Sequence, residues 1–210
     1  MKITLSFVVI IFYTVGYSQN DSNYTKREIT IKMENWEKIK AVNHLVDNDV
    51  FVNKKMIAGD FDGDLKKEML YLIPPTEDTL ATDPAKRCFG GCDSYAISYN
   101  SSLPVLKVEY NLGGEIKNVG DLDGDGADDI LVYPSWWQSN WNPYCVYSFN
   151  RVTKRWGYLI EPVSIYLAEL NNTQILLKKA KKKGFVTAYT SEVDSDGNEK
   201  SSYKDFSIIK

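Results

Sequence analysis

Gly59-Asp-Phe-Asp-Gly-Asp64 and Gly120-Asp-Leu-Asp-Gly-Asp125 are one phrase written twice, each led in by apolar residues and each running into an apolar, strand-like segment. In the second copy Asp121, Asp123, Asp125, Asp128 and Asp129 bring five carboxylates together with no Lys or Arg among them. Like charges at that density repel unless a cation lies between them. A hard divalent ion that takes six to eight oxygens meets the need, and acids at every second position let a loop wrap round it. Calcium is the expected ion.

The similarity extends past the acids, as it does in a repeat. Glu68-Met-Leu-Tyr-Leu-Ile73 follows the first loop and Asp129-Ile-Leu-Val-Tyr133 the second, and each ends at a proline, Pro74 or Pro134, where a strand ladder stops. Residues 96–100 then match 146–150 as alternating segments that close in a polar turn, and 106–110 and 156–160 supply the next strand. The reading is loop, strand, strand, strand, with units at about 50–112 and 113–165. The first unit is the longer, through an insertion that holds Cys88 and Cys92. Residues 166–210 form an irregular third unit, with strands expected at 185–193 and 203–209. Its turn, Asp194-Ser-Asp-Gly-Asn198, has Asn at the fifth position and Ser202 at the ninth, so it reads as a hairpin bend and not a third metal loop. Ahead of the first loop, 28–32 alternates like a strand and 36–45 reads as a short helix containing the lone histidine, His44.

The chain has 210 residues, 43% of them apolar and 13% aromatic, which is ample for a packed core. Lys2, the apolar run 3–15 and the small-residue end at Gly16-Tyr17-Ser18 have the form of a secretory signal peptide, so 1–18 is set apart and 19–210 is expected to fold. The apolar run is short for a bilayer span, and no second membrane candidate follows it. A secreted or periplasmic location is expected, and with it an oxidising compartment. Cys88 and Cys92 are spaced by a turn with two glycines and can pair with each other, or either can pair with Cys145. A zinc site would need four ligands from three Cys and one His, which argues against one. The formal net charge is −3 and the acids sit in the loops, so no nucleic-acid partner is expected. The basic run at 178–183 reads as a solvated turn or strand edge.

Counted from the first Asp of each loop, acids fall at positions one, three, five and nine: Asp60, Asp62, Asp64 and Glu68, then Asp121, Asp123, Asp125 and Asp129. The seventh residue, Lys66 or Ala127, is expected to add its backbone carbonyl with its side chain turned away. Glycine at the fourth, Gly63 or Gly124, allows the tight turn that aims the carboxylates inward. An EF-hand is excluded, because its twelfth-position glutamate is replaced by Tyr71 or Val132 inside a strand. The pattern resembles the calcium loop of FG-GAP repeats, the blades of the integrin alpha N-terminal propeller and of secreted proteins with VCBS-type repeats. There an apolar lead-in and Gly-Asp precede Asp-x-Asp-Gly-Asp-Gly-x-x-Asp and a strand, as 119–131 do here. The resemblance covers about 50–165 and implies two calcium sites built from the residues just named. It leaves out Asp128, at a position that is not a ligand in the family. In the first copy Leu65 replaces the usual glycine and Glu68 the usual aspartate, which implies a strained backbone and a weaker site.

The expected fold is all-β, with propeller-like blades. About three units fit in the chain, fewer than such rings commonly hold, so closure is left open. No catalytic signature is present: there is no Gly-x-Ser-x-Gly, no His-Glu-x-x-His and no Gly-rich phosphate loop. Trp136-Trp137-Gln-Ser-Asn-Trp141-Asn-Pro-Tyr144 offers Trp136, Trp137, Trp141 and Tyr144 as an aromatic platform for a glycan or protein, with blade core as the plainer reading. The expected function is therefore a secreted, non-enzymatic binding module held by structural calcium. Its partner would be a protein or glycan, such as a cell-wall hydrolase or a cell-surface polymer. The alternative is a secreted hydrolase whose paired carboxylates lie outside the metal loops.

Overall fold

A computed structural model describes residues 29–32, 35, 55–77, 80–82, 87–88, 91–135, 140–166 and 175–209. The leader 1–18, the helix expected at 36–45 with His44, and both Trp136 and Trp137 lie outside them.

Among the described residues the fold is all-β, as expected, in three antiparallel sheets, none of them closed. In the first sheet β2 (Lys55–Gly59), β3 (Glu68–Ile73), β4 (Ser94–Ser98) and β5 (Val105–Val108) pair in chain order, and β1 (Thr30–Ile31) adds to the far edge beside β5. The second repeats the plan with β6 (Glu115–Gly120), β7 (Asp129–Tyr133), β8 (Trp141–Asn150) and β9 (Arg155–Tyr158). After β9 the chain bends and continues as β10 (Val163–Tyr166), which pairs with the first part of the long β8. The third sheet is β11 (Leu177–Lys179), β12 (Phe185–Val193) and β13 (Glu199–Ser207).

Side chains alternate across each strand, so one strand feeds two layers. In β7, Ile130 and Val132 join a core between the first and second sheets, which also holds Phe61, Leu70, Leu72, Tyr147, Phe149 and Trp156. Leu131 points the other way, into a core between the second and third sheets with Tyr144, Val146, Ile160, Ile165, Val186 and Ala188. The three sheets therefore stack, and the two copies present the same face onward. Leu70 of β3 meets the second sheet, and its counterpart Leu131 of β7 meets the third.

The loops are pinned by the same rule. Phe61, second in the first loop, plugs the first core, while Leu122, second in the other loop, plugs the next. Where the chain passes between sheets, the carboxamide oxygen of the buried Asn111 accepts the N–H groups of Gly113, Gly114 and Ser135 at 3.1, 2.9 and 3.0 Å. A Cβ on Gly114 would lie 1.8 Å from the Tyr133 carbonyl, so only glycine fits there.

β4 ends two residues before the expected limit, because Asn100 turns its side chain to the Met69 N–H and the Lys67 carbonyl and closes the turn. Cysteine pairing is also decided. Cys88 and Cys92 form a disulfide, and Cys145 is free on β8.

Candidate metal centres

Each acidic loop joins two neighbouring antiparallel strands, β2 to β3 and β6 to β7, and each folds round its first aspartate. In the second loop Asp121 accepts the N–H groups of Gly124, Asp125 and Gly126 at 2.5, 3.2 and 3.1 Å. In the first, Asp60 accepts those of Asp64 and Leu65 at 3.0 and 2.8 Å. Several N–H donors converging on one carboxylate fix its direction. The sixth residue is left-handed in both loops, Gly126 at φ 88° and Leu65 at φ 69°. Leucine there bears the strain expected of a side chain in that region, and it projects into solvent.

Three carboxylates converge in each loop. Asp60, Asp62 and Glu68 each bring an oxygen within 4.8 Å of the others, as do Asp121, Asp123 and Asp129. The ninth-position acid comes from the first residue of a strand and is buried, and it accepts the N–H of the second loop residue. Glu68 takes Phe61 N–H at 2.8 Å and Asp129 takes Leu122 N–H at 2.8 Å. The remaining oxygen of Asp129, Oδ1, is buried with no hydrogen-bond partner. The Ser148 hydroxyl lies close enough to offset a little of the cost but makes no hydrogen bond to Oδ1.

These acids carry the electrostatic cost of their position. Burial, and then the charges of Asp123 and Asp125, push Asp129 up to about 7. Burial also raises Glu68, with Asp62, Asp60 and Asp64 adding to the shift, and it raises Asp123 beside Asp125 and Asp121. A buried carboxylate with one orphaned oxygen, converging with two further carboxylates, fits a divalent cation with oxygen ligands. The donor set is all oxygen, which excludes a thiolate or imidazole metal site at these loops.

The expected fifth-position acids stand apart from the convergent triads. Asp64 caps the Lys66 N–H at 2.8 Å and pairs with its ammonium at 3.2 Å, and the Lys66 N–H and charge hold it below the usual carboxylate range. The Lys66 side chain is exposed and reaches Asp64, outside the triad. Asp125 caps the N–H of the buried Ala127 at 2.8 Å. The third bend supplies a contrast. Asp194 accepts the N–H groups of Asp196 and Asn198 in the same manner, but Lys200 occupies its other oxygen at 2.7 Å and holds its acidity high. There a lysine provides the positive charge, as a hairpin turn allows.

The aromatic platform is corrected in one member. Tyr144 is fully buried between the second and third sheets, and its hydroxyl donates toward the carbonyls of Leu176 and Tyr189 at 3.3 and 2.8 Å, so it belongs to the core. Trp141 is half-buried on β8 and lies against Tyr166 of β10, with ring centroids 5.2 Å apart.

The groups that join the two loops belong to no motif of the sequence. Asp128, read only as a non-ligand, accepts the Asp60 N–H at 3.1 Å and the Asn118 amide at 2.8 Å, and its own N–H donates to the Asp60 carbonyl at 2.7 Å. The only sequence signal was one acid more than the loop pattern requires. Compared with known protein families, with curated proteins and with solved structures, the chain has no match in any of the three.

Proposed function

We propose that this protein is a secreted calcium-binding module of propeller-like blades, in which calcium is architectural and the surface makes contact with a protein or glycan. Asp60, Asp62 and Glu68 would hold one ion, and Asp121, Asp123 and Asp129 the other. The observation that carries the reading is the buried Asp129 carboxylate, which has one oxygen unpartnered and two more carboxylates within 4.8 Å. Leaving it ionised without a cation is costly, and a divalent ion removes that cost while fixing the bend between β6 and β7.

Blades are supported by the repeated four-strand meander and by the matching faces that Leu70 and Leu131 turn toward the next sheet. A secreted or periplasmic location is supported by the leader-like start and agrees with the Cys88–Cys92 disulfide. The Trp141–Tyr166 pair, a few residues after Trp136 and Trp137 in the sequence, supports contact with a sugar or protein surface.

Scanning calorimetry with saturating calcium and with excess chelator is the test. An ion that binds only the folded state at a hundredfold excess over its Kd adds about 2.7 kcal/mol, a rise in Tm of roughly 5–10 °C for a domain of this size. An identical Tm in the two conditions would remove calcium from the fold.

A further inference from the structure

Asp128 is a member of neither triad, yet it grips a residue that belongs to one and adjoins a residue of the other. Its carboxylate takes the Asp60 N–H and its own N–H serves the Asp60 carbonyl, so both main-chain groups of that first-loop acid are held by one residue of the second loop. Asn118, at the irregularity in β6, completes the clasp by donating to Asp128 and to the Ala58 carbonyl at 2.8 and 3.0 Å. The clasp has no slack. A Cβ on Gly59 would lie 2.3 Å from the Asn118 amide nitrogen and 2.7 Å from the Asp128 carboxylate. On the other side Arg151, in the turn between β8 and β9, donates to the Asp125 carbonyl of the second loop, and a Cβ on Gly63 of the first would lie 2.6 Å from its Nη1.

We propose that the two loops form one cooperative calcium unit, in which Asp128 is the positioning residue that passes occupancy of one loop to the other. This rests on the calcium reading above. Its second, independent support is the fully buried Asp129 side chain, which reaches into the second triad and has one oxygen unpartnered, directly after Asp128 in the chain. An ion that draws Asp129 into place fixes the Asp128 peptide beside it. That peptide fixes the Asp60 main chain, so the second ion meets a loop whose ordering cost is already met. By linkage the coupling is reciprocal. Coulomb forces act the other way, because an ion in one loop lowers the negative potential at its neighbour. The sign of cooperativity therefore separates the clasp from simple charge effects, and added salt weakens only the latter.

The experiment is calcium titration of the whole protein by isothermal calorimetry, alongside Asp128→Ala, Asp128→Asn and Arg151→Ala. The wild type is expected to bind two ions with a Hill coefficient above unity, the second binding about fivefold or more tighter than the first. Asp128→Ala should still bind both ions, with the Hill coefficient at or below unity. Asp128→Asn, which keeps an oxygen acceptor and the N–H but loses the charge, should restore the wild-type curve. Arg151→Ala should lower the coefficient, and it serves as the second variant if Asp128→Ala does not fold. Two independent ions in the wild type would overturn the coupling and leave the calcium reading standing. No calcium binding at all would overturn both. An Asp128→Ala protein that stays cooperative, or an Asp128→Asn protein that does not, would remove the clasp as the cause.

Discussion

Asp129 is a costly residue without an ion, and that cost gives a signed pH dependence. Its folded value of about 7 lies above the ordinary 3.8, so across that interval the folded protein keeps a proton that the unfolded chain gives up. Metal-free protein should therefore lose stability as pH rises from about 4 to 7 and level off above. Saturating calcium, which selects the carboxylate, should remove that slope. Asp129→Asn should flatten it without calcium and make the metal-free protein more stable at pH 8, on the order of 2–4 kcal/mol, while abolishing one ion site. Urea unfolding of dialysed protein at pH 5 and pH 8 measures this, and a pH-independent midpoint in the wild type would contradict it. Leu65 gives a second residue-scale prediction. It is exposed and left-handed where the other loop has Gly126, so Leu65→Gly should relieve about 1 kcal/mol of backbone strain and tighten calcium at the first loop. Chemical unfolding with and without calcium would show whether either gain is absent.

At the scale of elements, much was legible because two signals are local. Alternating apolar residues between a Gly-Asp turn and a proline marked β3 and β7 to the residue, and β12 likewise. Local signals failed where a partner strand or turn decided the outcome. β9 stops at Tyr158 and the chain resumes as β10, because the long β8 offers its earlier residues, Trp141 to Tyr144, as a separate pairing edge. Cysteine pairing failed for the same reason. Cys145 packs from β8 toward the core between the first and second sheets, whereas Cys88 and Cys92 meet across their own turn. Closing so short a loop contributes only about 2 kcal/mol on the chain-entropy account. Replacing both cysteines with serine should lower stability by about that amount and leave calcium binding unchanged, as guanidinium unfolding and calorimetric titration would show. A large fall in calcium affinity would instead tie the disulfide turn to the loops.

For the whole molecule, the stacking of three sheets decides how a calcium effect spreads. Phe61 and Leu122 anchor successive loops in successive cores, so an ion that stiffens a loop also stiffens the packing between sheets. Calcium should therefore raise a single cooperative melting transition and not a minor early one, and two transitions in the scan would mean that the sheets melt separately. Read alone, the sequence already carried the all-β class, the doubled acidic bend with candidate acids at positions one, three, five and nine, and the ordinary character of the third bend. Each of these depends on charge and periodicity within a few neighbouring residues. It took the folded arrangement to show that Asp128 holds Asp60, that Arg151 stands between the loops, that Tyr144 is core and that Lys200 takes the place of an ion at Asp194. These contacts, Lys200 apart, join residues far apart in the chain, and a hydrogen bond or a packing contact is fixed by distance in space, which spacing along the sequence does not encode.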